Sequence, residues 1–271
     1  MMFGVIHFDQ LGLSPELFRI GNFALRYYGL AYLCGILIGW WLLKRMLTRS
    51  DAPMTPDQVD EFIIWATLGI VLGGRLGYVL FYSPDGYLAN PLNIFAVWKG
   101  GMAFHGGVAG VTIAALVFAW RNKLNWLRLC DYVVCVYPIG HFFGRLANFI
   151  NGELWGRPTD GSWGIIFPHA GPEPRHPSQL YEAGLEAVLP MLILTWLFWR
   201  TDVRLLPGRL AGAFCIAMGL GRFCAEFFRE PDRDLGFLST GLTMGQTLTI
   251  PLFVIGLLLI WWSGRRRSVA G

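Results

Sequence analysis

The chain has 271 residues, 54% of them hydrophobic and only 15% charged, with a formal net charge of +4 and a mean hydropathy of +0.47. A soluble globular domain carries roughly a quarter charged residues, so the composition excludes an ordinary soluble enzyme and indicates an all-α polytopic membrane protein. Five cysteines, an odd number with no Cys-x-x-Cys pair, argue against a disulfide framework, a zinc site or a redox pair.

In chain order, the opening segment "MMFGVIHFDQLGLSPELFRIG" lacks the basic start and unbroken apolar stretch of a secretory signal, so it is expected to be retained. A helix of about 20 mostly apolar residues crosses the hydrocarbon core. Seven such spans are predicted, near 24–43, 62–82, 104–120, 129–150, 178–199, 210–228 and 244–263. Cys34, Cys130, Cys135, Cys215 and Cys224 fall within or at the ends of these spans and read as small packing residues. Basic patches follow the first, third, fifth and seventh spans: Lys44, Arg45 and Arg49; Arg121, Lys123 and Arg128; Arg200, Arg204 and Arg209; Arg265, Arg266 and Arg267. Lys and Arg in short loops stay on the cytoplasmic side, which places the amino terminus outside and the carboxyl terminus inside. The same alternation makes topology, rather than nucleic acid, the reading of the positive charge. No linker or soluble domain divides the chain, so residues 1–271 read as one integral membrane domain.

Two outer segments are the informative ones. Residues 83–103 read as a short interfacial segment with Trp98 at headgroup level. Residues 151–177, "NGELWGRPTDGSWGIIFPHAGPEPRHP", are rich in Gly, Pro and Trp and read as a small periplasmic cap. The inner loops are short and basic, so function is expected at the outer half of the membrane.

Arg75, Arg145 and Arg222 lie inside apolar segments, where each central charge costs about 2.5 to 3.5 kcal/mol on insertion scales. They need partners. One account is ion pairing: Glu226, four residues after Arg222, shares its helix face, and Glu153 is available to Arg145. The other is a phosphate, which the planar guanidinium fork binds bidentately, and in a membrane the abundant phosphate belongs to a lipid. Small neighbours such as Gly74, Gly77, Gly144, Ala147, Gly219 and Gly221 let a helix or a headgroup approach closely. Asn148 and Asn151, three apart on one helical face, supply neutral donors and acceptors for hydroxyls or ester carbonyls. His105, at the outer start of the third span, reads either as a satisfied interfacial histidine or as a general base. In "RHPSQLYE", Ser178 reads as a cap of the fifth span. The absence of Gly-x-Ser-x-Gly, His-Glu-x-x-His and P-loop patterns takes sequence support from a serine hydrolase, a zinc protease and an NTPase.

The stretch "GRLANFINGELWGR", Gly144 to Arg157, resembles the signature of the bacterial prolipoprotein diacylglyceryl transferase family at every fixed position. The resemblance extends to "YYGLAYL", "GGRLGYVLFY", "FHGG", "RHPSQLYE" and "RFCAEFFREP", in order along the chain. It implies seven transmembrane helices in the bacterial cytoplasmic (inner) membrane, with the amino terminus periplasmic. It further implies transfer of the diacylglyceryl group of phosphatidylglycerol to the lipobox cysteine thiol of a preprolipoprotein signal peptide, releasing glycerol 1-phosphate without metal or organic cofactor. By motif position it carries importance onto Tyr28, His105, Arg145, Asn148, Glu153, Gly156 and Arg222. On this reading Arg145 and Arg222 neutralise the phosphate, and Asn148 and Tyr28 fix the glycerol moiety. Glu153 holds an arginine or the cap, while His105 acts as base or orients the lipid. Met218 stands where the family often has tyrosine, which removes that hydroxyl. A transporter for an anionic substrate and a lipid-binding scaffold without chemistry are the competing readings. The first lacks paired interrupted spans in two related halves, and the second gives no account of His105.

Overall fold

The computed structural model describes all residues except 1–4, 22, 50, 83–86, 88–89, 97–99, 162, 232–235 and 270–271, so Trp98 lies outside the described residues. Seven long helices are described: α1 Tyr27–Met46, α2 Pro56–Phe81, α3 Phe104–Arg121, α4 Trp126–Ile150, α5 Ser178–Arg200, α6 Arg209–Ala225 and α7 Met244–Val269. Each predicted span falls on one of them. By length and composition, α2, α4, α5 and residues Met244–Arg265 of α7 are able to cross a membrane, and His105–Arg121 is a shorter apolar helix. Large apolar side chains face outward at Leu33, Leu37 and Trp41 on α1, at Leu68, Leu72 and Leu76 on α2, and at Leu257, Leu258 and Trp261 on α7. Such a surface suits hydrocarbon rather than water.

The chain forms two compact units, residues 43–130 and residues 1–42 with 131–271. In the smaller unit a reciprocal cap starts α2: Gln58 N–H donates to Thr55 Oγ1 at 3.3 Å and Thr55 N–H to Gln58 Oε1 at 2.9 Å, with Pro56 in the first turn. Gly73 and Gly77 then let α2 lie directly on α3. A Cβ on Gly73 would stand 2.7 Å from the Gly110 Cα, and one on Gly77 2.8 Å from the Gly106 Cα. This is the close backbone approach that small residues four apart provide in lipid.

In the larger unit, the strand β1 Ile6–His7 pairs in parallel with β4 Ile165–Ile166, and β2 Glu16–Ile20 pairs antiparallel with β3 Phe23–Arg26. Phe8, Ile165 and Phe167 form a small apolar core with Phe149 and Trp155, tying residues of the 151–177 segment to the end of α4. The helix α5 contains a π turn over Ala183–Val188. Pro190 has no N–H to return to the Glu186 carbonyl, and the Leu189 N–H reaches back to Gly184 instead. Gly221 of α6 packs against the Leu185 carbonyl in that turn, where a Cβ would overlap it.

Asp131, fully buried on α4, fixes the start of α6. Its carboxylate accepts the backbone N–H groups of Gly208 at 2.7 Å and Ala211 at 2.8 Å, and α6 has no side-chain cap of its own. A negative group also complements the helix dipole there. Replacing it, as Asp131→Ala, should lower stability by about 1 to 3 kcal/mol, the cost of leaving a buried donor without an acceptor. Thermal unfolding in detergent reads this directly. An unchanged melting temperature would remove Asp131 from the capping of α6.

Candidate active site

The motif arginines of the larger unit meet in one buried ion cluster. Arg145 on α4 places Nη2 2.8 Å from Glu182 Oε2 and 3.6 Å from Glu186 Oε2. Arg222 on α6 places Nη1 3.2 Å from Glu182 Oε2 and 3.3 Å from Glu186 Oε1, and pairs with Glu226 one turn on. Arg229 adds Nη1 at 3.1 Å from Glu182 Oε1. His141 places Nε2 2.9 Å from Glu186 Oε2, and Thr243 Oγ1 donates to Glu226 Oε2 at 2.6 Å. The side chains of Glu182 and Glu186 are at most 1% exposed, whereas those of Arg145 and Arg222 are 16% and 22% exposed. The carboxylates thus form the buried back of the cluster, and the guanidinium groups keep the accessible edge. Arg145 Nε is buried with no hydrogen-bond partner among the described residues.

Glu182 and Glu186 were not among the sequence candidates, nor were Arg229 and His141. A signal existed for the two glutamates. They are the only charged residues in the predicted fifth span and lie four apart, a spacing that puts ionisable groups on one helix face. The expected pair of Arg222 with Glu226 is present, whereas the expected pair of Arg145 with Glu153 is replaced by Glu182 and Glu186.

Glu153 belongs instead to a second cluster, of one hydroxyl, two amides and its own carboxylate, that begins one turn after Arg145. Its Oε1 accepts from Tyr28 Oη at 2.8 Å, Asn148 Nδ2 at 2.9 Å and Asn151 Nδ2 at 3.4 Å. Asn148 also donates to the Tyr28 oxygen. Asn151 Oδ1 is buried without a hydrogen-bond partner among the described residues. The backbone carrying Glu153 is held from α5: Gln179 Nε2 donates to the Glu153 carbonyl at 2.6 Å and Ser178 Oγ to the Leu154 carbonyl at 3.1 Å. Ser178 therefore does not cap α5 as expected; Pro177 occupies the cap position.

Gly156 serves a close backbone approach. Its N–H donates to the His176 carbonyl at 2.9 Å, and a Cβ there would stand 2.7 Å from that oxygen and overlap the Phe228 carbonyl. Arg157 completes the tie to the end of α6, donating from Nε to the Arg229 carbonyl at 2.9 Å and from Nη2 to the Glu226 carbonyl at 3.1 Å. His176 packs against Trp163, Tyr181 and Phe228. Burial pushes its imidazole below the ordinary value, against an opposing pull from Asp160.

The two remaining candidates lie in the smaller unit. Arg75 is 3% exposed and donates to five backbone carbonyls, those of Asn93 at 2.6 Å, Ile94 at 2.8 Å, Ala96 at 3.3 Å, Gly100 at 2.5 Å and Gly101 at 3.1 Å. These contacts tie residues 93–96 and 100–101 to α2 and account for a charge in an apolar helix without a ligand. His105 is exposed in the first turn of α3. No group of three or more His, Cys, Asp or Glu residues able to hold a metal ion occurs among the described residues.

The sequence profile of the prolipoprotein diacylglyceryl transferase family matches residues 15–262. Proteins named phosphatidylglycerol–prolipoprotein diacylglyceryl transferase are similar along almost the whole chain. The one from Zymomonas mobilis is 54% identical over 274 residues, covering 98% of this chain and 96% of the relative. Those from Erythrobacter litoralis and Rhodospirillum rubrum are 49% and 50% identical, covering 97% and 95% of this chain and 94% and 95% of theirs.

The shared role of Glu182 has a measurable consequence. Removing one partner of a buried ion pair typically costs about 3 to 5 kcal/mol, so Glu182→Ala should melt well below the wild type in detergent. Glu230→Ala removes a 43% exposed partner from Arg175 and should cost under about 1 kcal/mol. Equal melting of the two variants would contradict a cluster organised around Glu182.

Proposed function

We infer the function from membership and site together: the chain belongs to the prolipoprotein diacylglyceryl transferase family, and it transfers the diacylglyceryl group of phosphatidylglycerol to a cysteine thiol of a prolipoprotein. The supporting observation is the arrangement of Arg145 and Arg222, whose guanidinium groups share buried Glu182 and Glu186 and keep an accessible edge. The acceptor is the lipobox cysteine of the signal peptide. Its sulfur attacks the glyceryl carbon, the bond from that carbon to the phosphate oxygen breaks, and glycerol 1-phosphate leaves with the charge that Arg145 and Arg222 neutralise. The thiol has an ordinary pKa near 8.5, so losing its proton to a base aids attack. That role is assigned to His105 on its motif and on imidazole chemistry. Tyr28, Asn148, Asn151 and Glu153 bind the hydroxyl and ester groups of the glycerol moiety, and Gly156 keeps the loop close enough to hold them in place. The five cysteines of the chain form no disulfide, and the mechanism gives none of them a carrier role.

Residues 1–271 act as one integral domain of the bacterial cytoplasmic membrane, with seven spans, the amino terminus periplasmic and the carboxyl terminus cytoplasmic. Residues 83–103 and 151–177 face the periplasm, which is where a signal peptide presents its lipobox. A single cysteine placed as Asp160→Cys in a cysteine-free background should react with an impermeant reagent in intact spheroplasts. Labelling only after lysis would reverse the orientation.

Purified protein incubated with phosphatidylglycerol and a lipobox peptide should add one diacylglyceryl mass to the peptide cysteine. Peptide of unchanged mass would end the transferase reading. Arg145→Lys should lose turnover roughly a hundredfold to a thousandfold, the typical loss for one transition-state contact, because lysine offers a point charge where a directed fork is needed. Arg209→Lys, outside the cluster, should stay near the wild type. Near-normal turnover by Arg145→Lys would reduce its role to simple charge.

A further inference from the structure

The sequence motifs give His141 no part in the site, yet it sits one helical turn before Arg145 and touches the same carboxylate. Its Nε2 is 2.9 Å from Glu186 Oε2, whereas Arg145 Nη2 stands 3.6 Å from that oxygen and 2.8 Å from Glu182. A carboxylate between guanidinium groups only accepts hydrogen bonds, so Nε2 carries the proton in this contact. The ring is fixed by its own helix: it stacks on Tyr137 with centroids 5.9 Å apart and planes at 24°, and Tyr137 is backed by Phe214 of α6. Glu186 is fixed from the other side, by the π turn and by Gly221 against the Leu185 carbonyl.

We propose that His141 is a positioning residue: by supplying Glu186 with its own donor, it prevents that carboxylate from drawing in Arg145, and so leaves Arg145 able to take the lipid phosphate. This rests on the function proposed above. The unpartnered Arg145 Nε supports it, because a guanidinium clasped by both glutamates would have fewer donors to give. Without the imidazole, Arg145, already 3.6 Å from Oε2, is placed to fill the vacant acceptor site on that oxygen, and attraction across so short a gap is strong in a water-poor interior. The cluster then becomes a closed set of internal ion pairs, and an external phosphate must break one of them to bind.

The variant His141→Phe keeps the ring and its stack on Tyr137 but removes the donor. It should raise KM for phosphatidylglycerol about tenfold, within the usual coupling between contacting residues, with a smaller change in kcat. It should also shrink the rise in melting temperature that mixed micelles of detergent and phosphatidylglycerol give the wild type. In the double variant His141→Phe, Glu186→Gln, a neutral amide no longer attracts the guanidinium, so KM and the melting shift should recover most of the way. A structural role alone would make the two losses add. An unchanged KM and melting shift in His141→Phe, or no recovery in the double variant, would overturn the proposal. Should His141→Phe fail to insert, His141→Gln decides: an amide that still donates should preserve KM and the melting shift, and a tenfold rise in KM would overturn the donor role. Wild-type protein that binds the lipid yet modifies no peptide would instead overturn the proposed function, while the melting shifts would still decide the role of His141.

Discussion

A charge in a membrane span is expensive unless its partners share the burial, and the larger unit answers this constraint by pooling. Glu182 alone accepts from Arg145, Arg222 and Arg229. Three segments that are remote in sequence, the end of α4, the start of α5 and the end of α6, converge on that one carboxylate. Such a cluster is not chiefly a source of stability, because desolvation offsets much of the attraction between buried ions. Its effect is on geometry: two guanidinium groups on different helices point to one place.

The backbone around the cluster is arranged to permit that convergence. The π turn in α5, which follows from a proline without an N–H at position 190, carries Glu186 and lets Gly221 of α6 approach its backbone directly. At the next level, Gly156 and Arg157 join the loop after α4 to the residues after α6 through His176, Phe228 and Arg229. The loop that carries Glu153 and the segment that carries Arg229 are therefore held by one set of contacts.

Arg75 illustrates the opposite use of the same residue type. Its planar fork meets the carbonyls of Asn93, Ile94, Ala96, Gly100 and Gly101, and so a charge that reads like a ligand site in the sequence becomes an internal tie. Guanidinium chemistry suits both uses equally well, since a carbonyl array and a phosphate each offer several acceptor oxygens. What separates Arg75 from Arg145 is the set of acceptors around it, and no local sequence pattern supplies that.

Much of the architecture was legible because lipid imposes a simple rule. Long apolar runs with basic ends must be helices, and the seven described helices fall where those runs are. Arg145, Arg222 and Asn148 stood out as candidates because polar groups in such runs are costly enough to mark themselves, and Glu153 stood out by its place in the motif that follows them. The pairing of Arg222 with Glu226 was legible too, since a four-residue spacing is a local property of a helix. The partner of Arg145, the two uses of arginine, the inclusion of His141 and the displacement of Ser178 from its expected cap were decided only in three dimensions. Each depends on which helix faces which across a gap, and that is set by small-residue contacts and backbone irregularities such as the π turn, whose effects reach residues far away in the chain.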